Sequence, residues 1–513
     1  MPTASPRLQS LRGSERNFAH RDRATLGWVL ALALATILAH WLTGSRYGFQ
    51  RDELATLDDA RHLAWGFVAY PPVTPFFGRL SLALFGTSLA GFRFFAALAQ
   101  AAALVLTALM ARTLGGGRRA QLLAAAAAVP FCLGGGALMQ YVSFDYLAWA
   151  LAAYFALRLF ASDDPRWWLA IGAAVGFGML SKYTAPMLAA ALGLGLLATP
   201  WRKHLKTPWL WAGVGVALLV FAPNLIWEAR HHFITLDFLR HIHARDVAEG
   251  RGNGFFSGQL TLTLFAAPIA ALGLGWYLFT QPGARFRPAA AIFLVPLALL
   301  VIAQGRAYYL APAYPPLYAA GALVLDRALD RLRARRRVVI GLVWAALAFD
   351  AALAAAFTLP IAAPGSPWFW QALKVNGDMH EEIGWPELVQ SVAQVRDRLP
   401  AADRASLGVL ASNYGEAGAL SLYGPAYGLP TVISGVNSFY ARGFGNPPPR
   451  HEIVLGLPAK FLQENFGACT VVAKVWNRYG VDNEETRDHP DIYLCGPPLA
   501  GWPAFWSGFR NFG

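Results

Sequence analysis

Charge is scarce in this chain. Only 14% of its 513 residues are Asp, Glu, Lys or Arg, against about a quarter in an ordinary soluble protein, while 56% are hydrophobic. So little polar surface cannot cover a soluble globule of this length. A phosphate-cradling G-x-x-x-x-G-K-[ST] loop is missing, and the glycine runs at Gly115–Gly117 and Gly134–Gly136 fall at the ends of apolar segments. Direct use of a nucleoside triphosphate therefore has no support. A clustered basic face is missing too. The net charge of +13 is dispersed over short loops between apolar runs, which excludes a nucleic-acid interface. Beyond Pro360 long apolar runs stop altogether.

What is present before Pro360 is a series of stretches near the roughly 20 apolar residues that cross a 30 Å hydrocarbon layer. Windowed apolarity and breaker residues place about eleven spans, at 25–44, 87–111, 120–138, 146–160, 168–181, 184–199, 208–226, 256–279, 289–304, 311–326 and 338–359. The run Leu26–Leu42 exceeds a usual signal-peptide core and lacks a small-x-small site before Arg46, so it is read as an anchor. The pair 168–181 and 184–199 is interrupted by Ser181-Lys182-Tyr183, which puts the costly Lys182 charge near an interface.

Orientation follows from the basic residues. With a cytoplasmic N-terminus, the inner loops collect 21 of the 32 Lys and Arg that precede Pro360, among them Arg7, Arg12, Arg16, Arg21, Arg112, Arg119, Lys203, Arg285 and Arg333. Reversal would put that majority outside, against the positive-inside rule. The expected protein is multi-pass, N-in and C-out, in a bacterial inner membrane, with residues 1–360 as the membrane domain and 361–513 as a periplasmic domain.

That tail alternates short apolar runs with turn residues. Leu407–Ala411, Thr431–Ser434, Ile453–Leu457, Thr470–Val475 and Ile492–Leu494 read as strands, Trp385–Arg396 and Ala459–Asn465 as helices, a small α/β domain. Cys132 falls in a span, whereas Cys469 and Cys495 share the tail. An oxidising compartment allows those two a disulfide; two unrelated buried thiols is the other reading.

Charges on the outer side are few and concentrated. The first outer loop, Ser45 to Gly86, is long and amphipathic enough for two helices lying on the membrane, the first opened by Asp52 and Glu53 and closed by Gly66. Arg51-Asp52-Glu53 facing a cleft is also a general-base arrangement, with Asp52 as the base and Glu53 opening and positioning the helix. Asp145 sits in the tight outer turn Tyr141 to Tyr146 between two spans, where a solvent-exposed turn residue is the other reading. Lys182 and Arg306 are the cationic counterparts, flanked by Tyr183 and by Tyr308 and Tyr309. Aromatics beside a cation also suit an interfacial anchor. Together the two signs suit a lipid phosphate held by cations while a carboxylate works on an acceptor. The loop from Trp227 to Phe255 adds His231, His232, Arg240, His241 and His243. His241 and His243 lack a third ligand at a known spacing, so this loop is read as polar lining and no cofactor is assigned; a divalent metal is left open without support.

These residues also resemble a family. Arg51-Asp52-Glu53, Arg61-His62-Leu63-Ala64-Trp65-Gly66, Tyr70-Pro71-Pro72, Gly178–Tyr183, Ala222–Trp227, Tyr308–Pro315 and Asn413–Leu420 are similar to bacterial glycosyltransferases of the dolichyl-phosphate-mannose protein mannosyltransferase type, a group that includes the aminoarabinose transferases of lipid A. The resemblance implies a C-type glycosyltransferase fold, a polyprenyl-phosphate sugar donor and a site at the outer membrane surface. It places Asp52 as the residue activating the acceptor, Asp145 as a second-loop acid and Lys182 as a donor-phosphate contact. Arg306 stands where related sequences often carry Lys, which replaces a point charge with a bidentate fork. Arg61, His62, Tyr70, Asn224, Trp227, Arg240 and His241 are then expected to line the substrate site.

The expected reaction is an inverting transfer to an envelope lipid, glycan or protein, without a covalent intermediate. A transporter or lipid flippase shares the many spans and buried charges. The long acidic outer loop and the soluble tail favour the enzyme.

Overall fold

In hydrocarbon every backbone N–H and C=O must find its partner within the same segment, so long apolar runs fold as helices. A computed structural model describes residues 6–332 and 335–513, with side chains from residue 23 onward. Arg7, Arg12, Arg16, Arg21 and Arg333 of the orientation count lie outside the described side chains. The helices in order are α1 Pro6–Thr43, α2 Arg51–Arg61, α3 Val73–Phe85, α4 Leu89–Thr113, α5 Arg118–Gly136, α6 Tyr141–Ser162, α7 Trp167–Met179, α8 Ala185–Leu197, α9 Pro208–Arg230, α10 Ile234–Ala248, α11 Phe255–Thr263, α12 Ala267–Phe279, α13 Pro288–Ile302, α14 Pro315–Arg331 and α15 Arg336–Thr358. Each predicted span overlaps one of these, and 256–279 overlaps both α11 and α12, which are joined by a 3-10 turn at Leu264–Ala266. Among the described residues, six helical stretches are long and apolar enough to cross a membrane: Arg23–Thr43, Leu89–Thr113, Tyr141–Ser162, Pro208–Arg230, Phe255–Phe279 and Arg336–Thr358.

Small side chains let these helices approach closely, the usual device where lipid removes the hydrophobic drive between helices. Ala103, Ala111, Ala124, Ala127, Ala128 and Ala153 are buried where α4, α5 and α6 meet. Basic loops gather at one end of the bundle. Arg119 pairs with Asp326 and Asp330, Lys203 with Asp163, and Arg285 donates to the Phe160 carbonyl.

At the opposite end sit α2, α3, α10 and the tail. The tail continues with α16 Pro367–Val375, α17 Trp385–Asp397, α18 Ala401–Arg404 and, after the first strand, α19 Tyr414–Tyr423. Its strands are β1 Leu407–Ala411, β2 Val432–Ile433, β3 His451–Leu455, β4 Cys469–Lys474 and β5 Asp491–Cys495, in sheet order β2-β1-β3-β5-β4. β1 is parallel to both β2 and β3, whereas β5 is antiparallel to both β3 and β4. Leu407 to Ala411 is buried throughout, as expected of a strand between two parallel neighbours with both faces covered. A disulfide joins Cys469 and Cys495 across β4 and β5.

The first outer loop departs from expectation. Leu54, Leu57 and Ala60 of α2 are fully buried, and Leu54 and Leu57 share one apolar cluster with Phe92 of α4 and with Trp385, Leu388, Ala417 and Leu420 of the tail. The helix is sandwiched between bundle and tail, not laid on a membrane surface. It ends at Arg61 with His62 as its cap, so Gly66 does not close it. Gly66 instead lies against Trp227, where an added Cβ would fall 2.3 Å from the indole ring.

Candidate active site

Residues three, four and seven apart share one face of a helix. On α2 those are Asp52, Ala55, Thr56 and Asp59, and all four line a cavity of about 550 Å³ between the bundle end and the tail. Gln50 caps the helix. Its side chain accepts the Asp52 N–H at 2.7 Å, and Glu53 returns the capping box by accepting the Gln50 N–H at 3.0 Å. This cap aims Asp52 into the cavity. Its Oδ2 accepts from Gln140 Nε2 at 2.9 Å and its Oδ1 from the Tyr414 hydroxyl at 2.9 Å. Burial raises the Asp52 carboxyl above its ordinary value, partly offset by Arg51 and the Tyr414 hydrogen bond, which moves it toward the range useful for a general base.

The cationic wall comes from three other elements. Lys182 lies in the break between α7 and α8 and lines the cavity with Tyr183 and Thr184. Its Nζ sits 3.9, 5.0 and 5.2 Å from the ring centroids of Tyr309, Tyr141 and Tyr308. Desolvated cation–π contacts of this kind are worth about 2 kcal/mol. Arg306 lines the cavity and grips Asp246 with Nε and Nη2, each at 2.6 Å. Arg251 and Arg245, also lining, stand 3.7 and 4.0 Å from the same carboxylate. Arg251 also pairs with Glu249 at 2.5 Å, so three arginines against two carboxylates leave one net positive charge at this wall, with Lys182 in addition.

Of the expected site residues, the structure brings Asp52, Lys182, Arg306, Tyr309 and Tyr70 to one cavity. Tyr308 stands behind it, edge-on to Tyr309 at 4.6 Å. Glu53 does not reach it. It is wholly buried, accepts the Met139 N–H at 2.8 Å and faces Arg93 at 2.6 Å, so its oxygens are consumed in holding α2 to α4. Asp145 is not in an outer turn. The chain is already helical from Tyr141, and Asp145 is buried in the first turns of α6, where both oxygens accept from Thr184 Oγ1 at 2.8 and 2.9 Å.

Of the remaining expected lining residues, Arg61, His62, Asn224 and Trp227 lie in or against the outer loop instead, and Arg240 and His241 do neither. Arg61 donates to the Ser421 carbonyl of the tail, and His62 lies within 3.5 Å of Asp58. Asn224 is fully buried, donates to the Trp65 carbonyl at 2.7 Å and accepts the Tyr183 hydroxyl at 3.0 Å. Trp227 stacks on His231 with centroids 4.0 Å apart. Arg240 pairs with Asp237 in solvent and His241 packs beside Phe512. The turn of α10 explains this. Phe238, Leu239, Ile242, His243 and Arg245 share the inward face, and residues 240 and 241 point away. Residue type alone carries no helix phase, so Arg245 and Arg251 stand out only in the folded chain.

Asp59 joins the site as well, its seven-residue spacing from Asp52 setting it on the same face of α2. It accepts the Tyr70 hydroxyl at 2.8 Å and faces Arg442 at 3.3 Å; burial pushes its carboxyl up to about 7. Among the described residues, no group of three or more His, Cys, Asp or Glu is placed to hold a metal ion.

Residues 69–227, about a third of the chain, match the family model of dolichyl-phosphate-mannose-protein mannosyltransferase. The fold resembles that of ArnT from Cupriavidus metallidurans, solved with undecaprenyl phosphate, at 16% identity and a TM-score of 0.60, covering 91% of this chain and 98% of that one. Its apo form agrees, at 16% identity and 0.59, with 92% and 98% covered. Over residues 69–227 the chain is similar to dolichyl-phosphate-mannose-protein mannosyltransferases, and its fold is similar to that of ArnT. A looser likeness, with a TM-score of 0.49 and 13% identity, is to the oligosaccharyltransferase of Archaeoglobus fulgidus, over 83% of this chain and 68% of that one. No curated protein sequence matches this chain.

Proposed function

We propose that this protein transfers a sugar from a polyprenyl-phosphate donor to a hydroxyl of an envelope lipid, glycan or protein, with inversion, at the periplasmic face of a bacterial inner membrane. The observation that carries the reading is the polarity of one cavity, with the Asp52 carboxylate on one wall and Lys182, Arg245, Arg251 and Arg306 on others. The donor phosphate sits at the cationic wall. Lys182 makes no ion pair within 4 Å among the described residues and is held by tyrosine rings, so its charge is available to an incoming anion. Asp52 takes the proton of the acceptor hydroxyl as that oxygen attacks the anomeric carbon, and the lipid phosphate leaves from the opposite face. Cations stabilise the developing phosphate charge, so the leaving group needs no general acid. Outside the cytoplasm nucleotide sugars are absent, which is why a lipid-linked donor suits this site.

A transporter would share the spans and buried charges, but the family match and the ArnT-like fold favour transfer. The deciding experiment supplies the reconstituted protein with a polyprenyl-phosphate sugar pool and an envelope extract. Formation of a glycosidic bond supports the reading, and no product with any donor overturns it. Mass spectrometry of envelope glycolipids and glycoproteins with and without the gene names the sugar and the acceptor.

A further inference from the structure

The tail reaches the catalytic wall through one helix. Asn413 caps α19 by accepting the Glu416 N–H at 2.9 Å, which makes Tyr414 its first residue. The face of α19 turned toward α2 is bare. A Cβ on Gly418 would lie 2.7 Å from the Leu54 backbone, and one on Gly415 would lie 3.1 Å from Arg51 Cβ. Only glycine permits that approach, and the approach sets the Tyr414 hydroxyl 2.9 Å from Asp52 Oδ1. The ring is fixed from outside as well, with the Arg51 guanidinium 4.7 Å above its centroid and bonded in turn to Glu484 of the tail.

We infer that Tyr414 is a positioning residue for Asp52, supplied by the tail, so that the tail forms part of the transfer machinery in addition to any acceptor contact. This rests on the reading of Asp52 as the base. An ionised carboxylate offers about four acceptor sites. Tyr414 occupies one on Oδ1 and Gln140 one on Oδ2, which fixes the carboxylate plane and leaves each oxygen a lone pair for the acceptor hydroxyl. Burial holds the Tyr414 phenol well above its ordinary value, so it remains a donor across the working pH range. The other charged and titratable groups facing Asp52 are Arg51, Glu53, Asp378, Tyr70 and Tyr141.

The test measures transfer against pH for the full-length protein and for Tyr414→Phe. A hydrogen bond to the ionised form favours it, so its loss raises the Asp52 pKa. The acid limb of the kcat profile should move to higher pH, kcat should fall about tenfold, and donor KM should stay within about twofold. If Tyr414→Phe fails to fold, 3,5-difluorotyrosine at 414 keeps the shape, strengthens the donor and should move the limb to lower pH. An unmoved limb in a folded variant overturns the inference. Asp52→Asn separates the two failures. Inactive Asp52→Asn beside an unshifted Tyr414→Phe sinks the positioning role alone, whereas fully active Asp52→Asn removes the base and the inference with it.

Discussion

Arg306 and Asp246 grip each other through two nitrogen–oxygen contacts of 2.6 Å, and Arg245 and Arg251 converge on the same carboxylate. Asp246 therefore works as the anchor of a three-arginine wall. Removing its charge frees Arg306 from the fork and scatters the other two. Asp246→Asn is expected to raise the donor KM about tenfold, the worth of a charge-assisted contact. Measured donor KM decides this, and a lower KM would mean that Arg306 binds phosphate better when released.

Lys182 and Arg306 should not be equivalent. The Lys182 ammonium is held by rings and has no carboxylate within 4 Å among the described residues, while much of the Arg306 charge is answered by Asp246. Lys182→Ala should therefore weaken donor use more than Arg306→Ala, both within about 1.5–3 kcal/mol. Steady-state donor titration of the two variants checks the order. Normal transfer by both would make them interfacial anchors.

Local signals were legible in the sequence and long-range ones were not. Apolar run length located a helix at every predicted span, six of the stretches being long and apolar enough to cross a membrane among the described residues. Short apolar runs located β1 and β5 within one residue, because periodicity and turn chemistry are local. Asp145 was misplaced because Ser143 and Asp145 are good turn formers, yet the helix already starts at Tyr141. Residue type does not distinguish Arg240 and His241 from His243 and Arg245; only the helix phase of α10 turns the latter pair into the cavity. Tyr414 stands 362 residues from Asp52. Its motif was noticed, but only folding shows which side chain it meets.

Stability of the tail should fall as pH rises. Glu452 is fully buried in β3, and burial pushes it up to about 8 from 4.5, partly offset by the nearby Trp502 side chain. The folded state then binds a proton that the unfolded state has released. The stabilisation is complete below about 4.5 and is lost up to about 8, at no more than about 1.4 kcal/mol per pH unit. Glu452→Gln should flatten that slope. Thermal unfolding between pH 5 and 8 measures it, and parallel slopes for variant and wild type would refute the assignment.

Sidedness is open to direct labelling. Exposed Gly115 belongs to the basic end, while Lys460, whose side chain is 86% exposed, belongs to the tail. Under the positive-inside rule, Lys460→Cys and Arg251→Cys should react with an impermeant thiol reagent in intact cells, and Gly115→Cys should react only after permeabilisation. Protection of position 460 would reverse the orientation and remove the reason for a lipid-linked donor.

The sharpest contrast is between adjacent carboxylates. Asp52 faces the cavity with one lone pair free on each oxygen, and Glu53 faces away, locked to Arg93 and to the backbone of Gln50 and Met139. Asp52→Asn keeps size and most hydrogen bonding but takes no proton, so transfer should fall about 10²–10⁴-fold. Its unfolding temperature should hold or rise, because the charge it loses was poorly solvated. Glu53→Gln should do the reverse. It leaves Arg93 with the Glu382 carboxylate at 3.1 Å and the Gly44 and Gly48 carbonyls, and breaking such a buried pair costs about 3–5 kcal/mol, while the folded fraction should still transfer sugar. Activity per folded molecule together with thermal unfolding of both variants gives the answer. Loss of transfer in stably folded Glu53→Gln would move the chemistry from Asp52 to its neighbour, and full activity in Asp52→Asn would leave this cavity without a base.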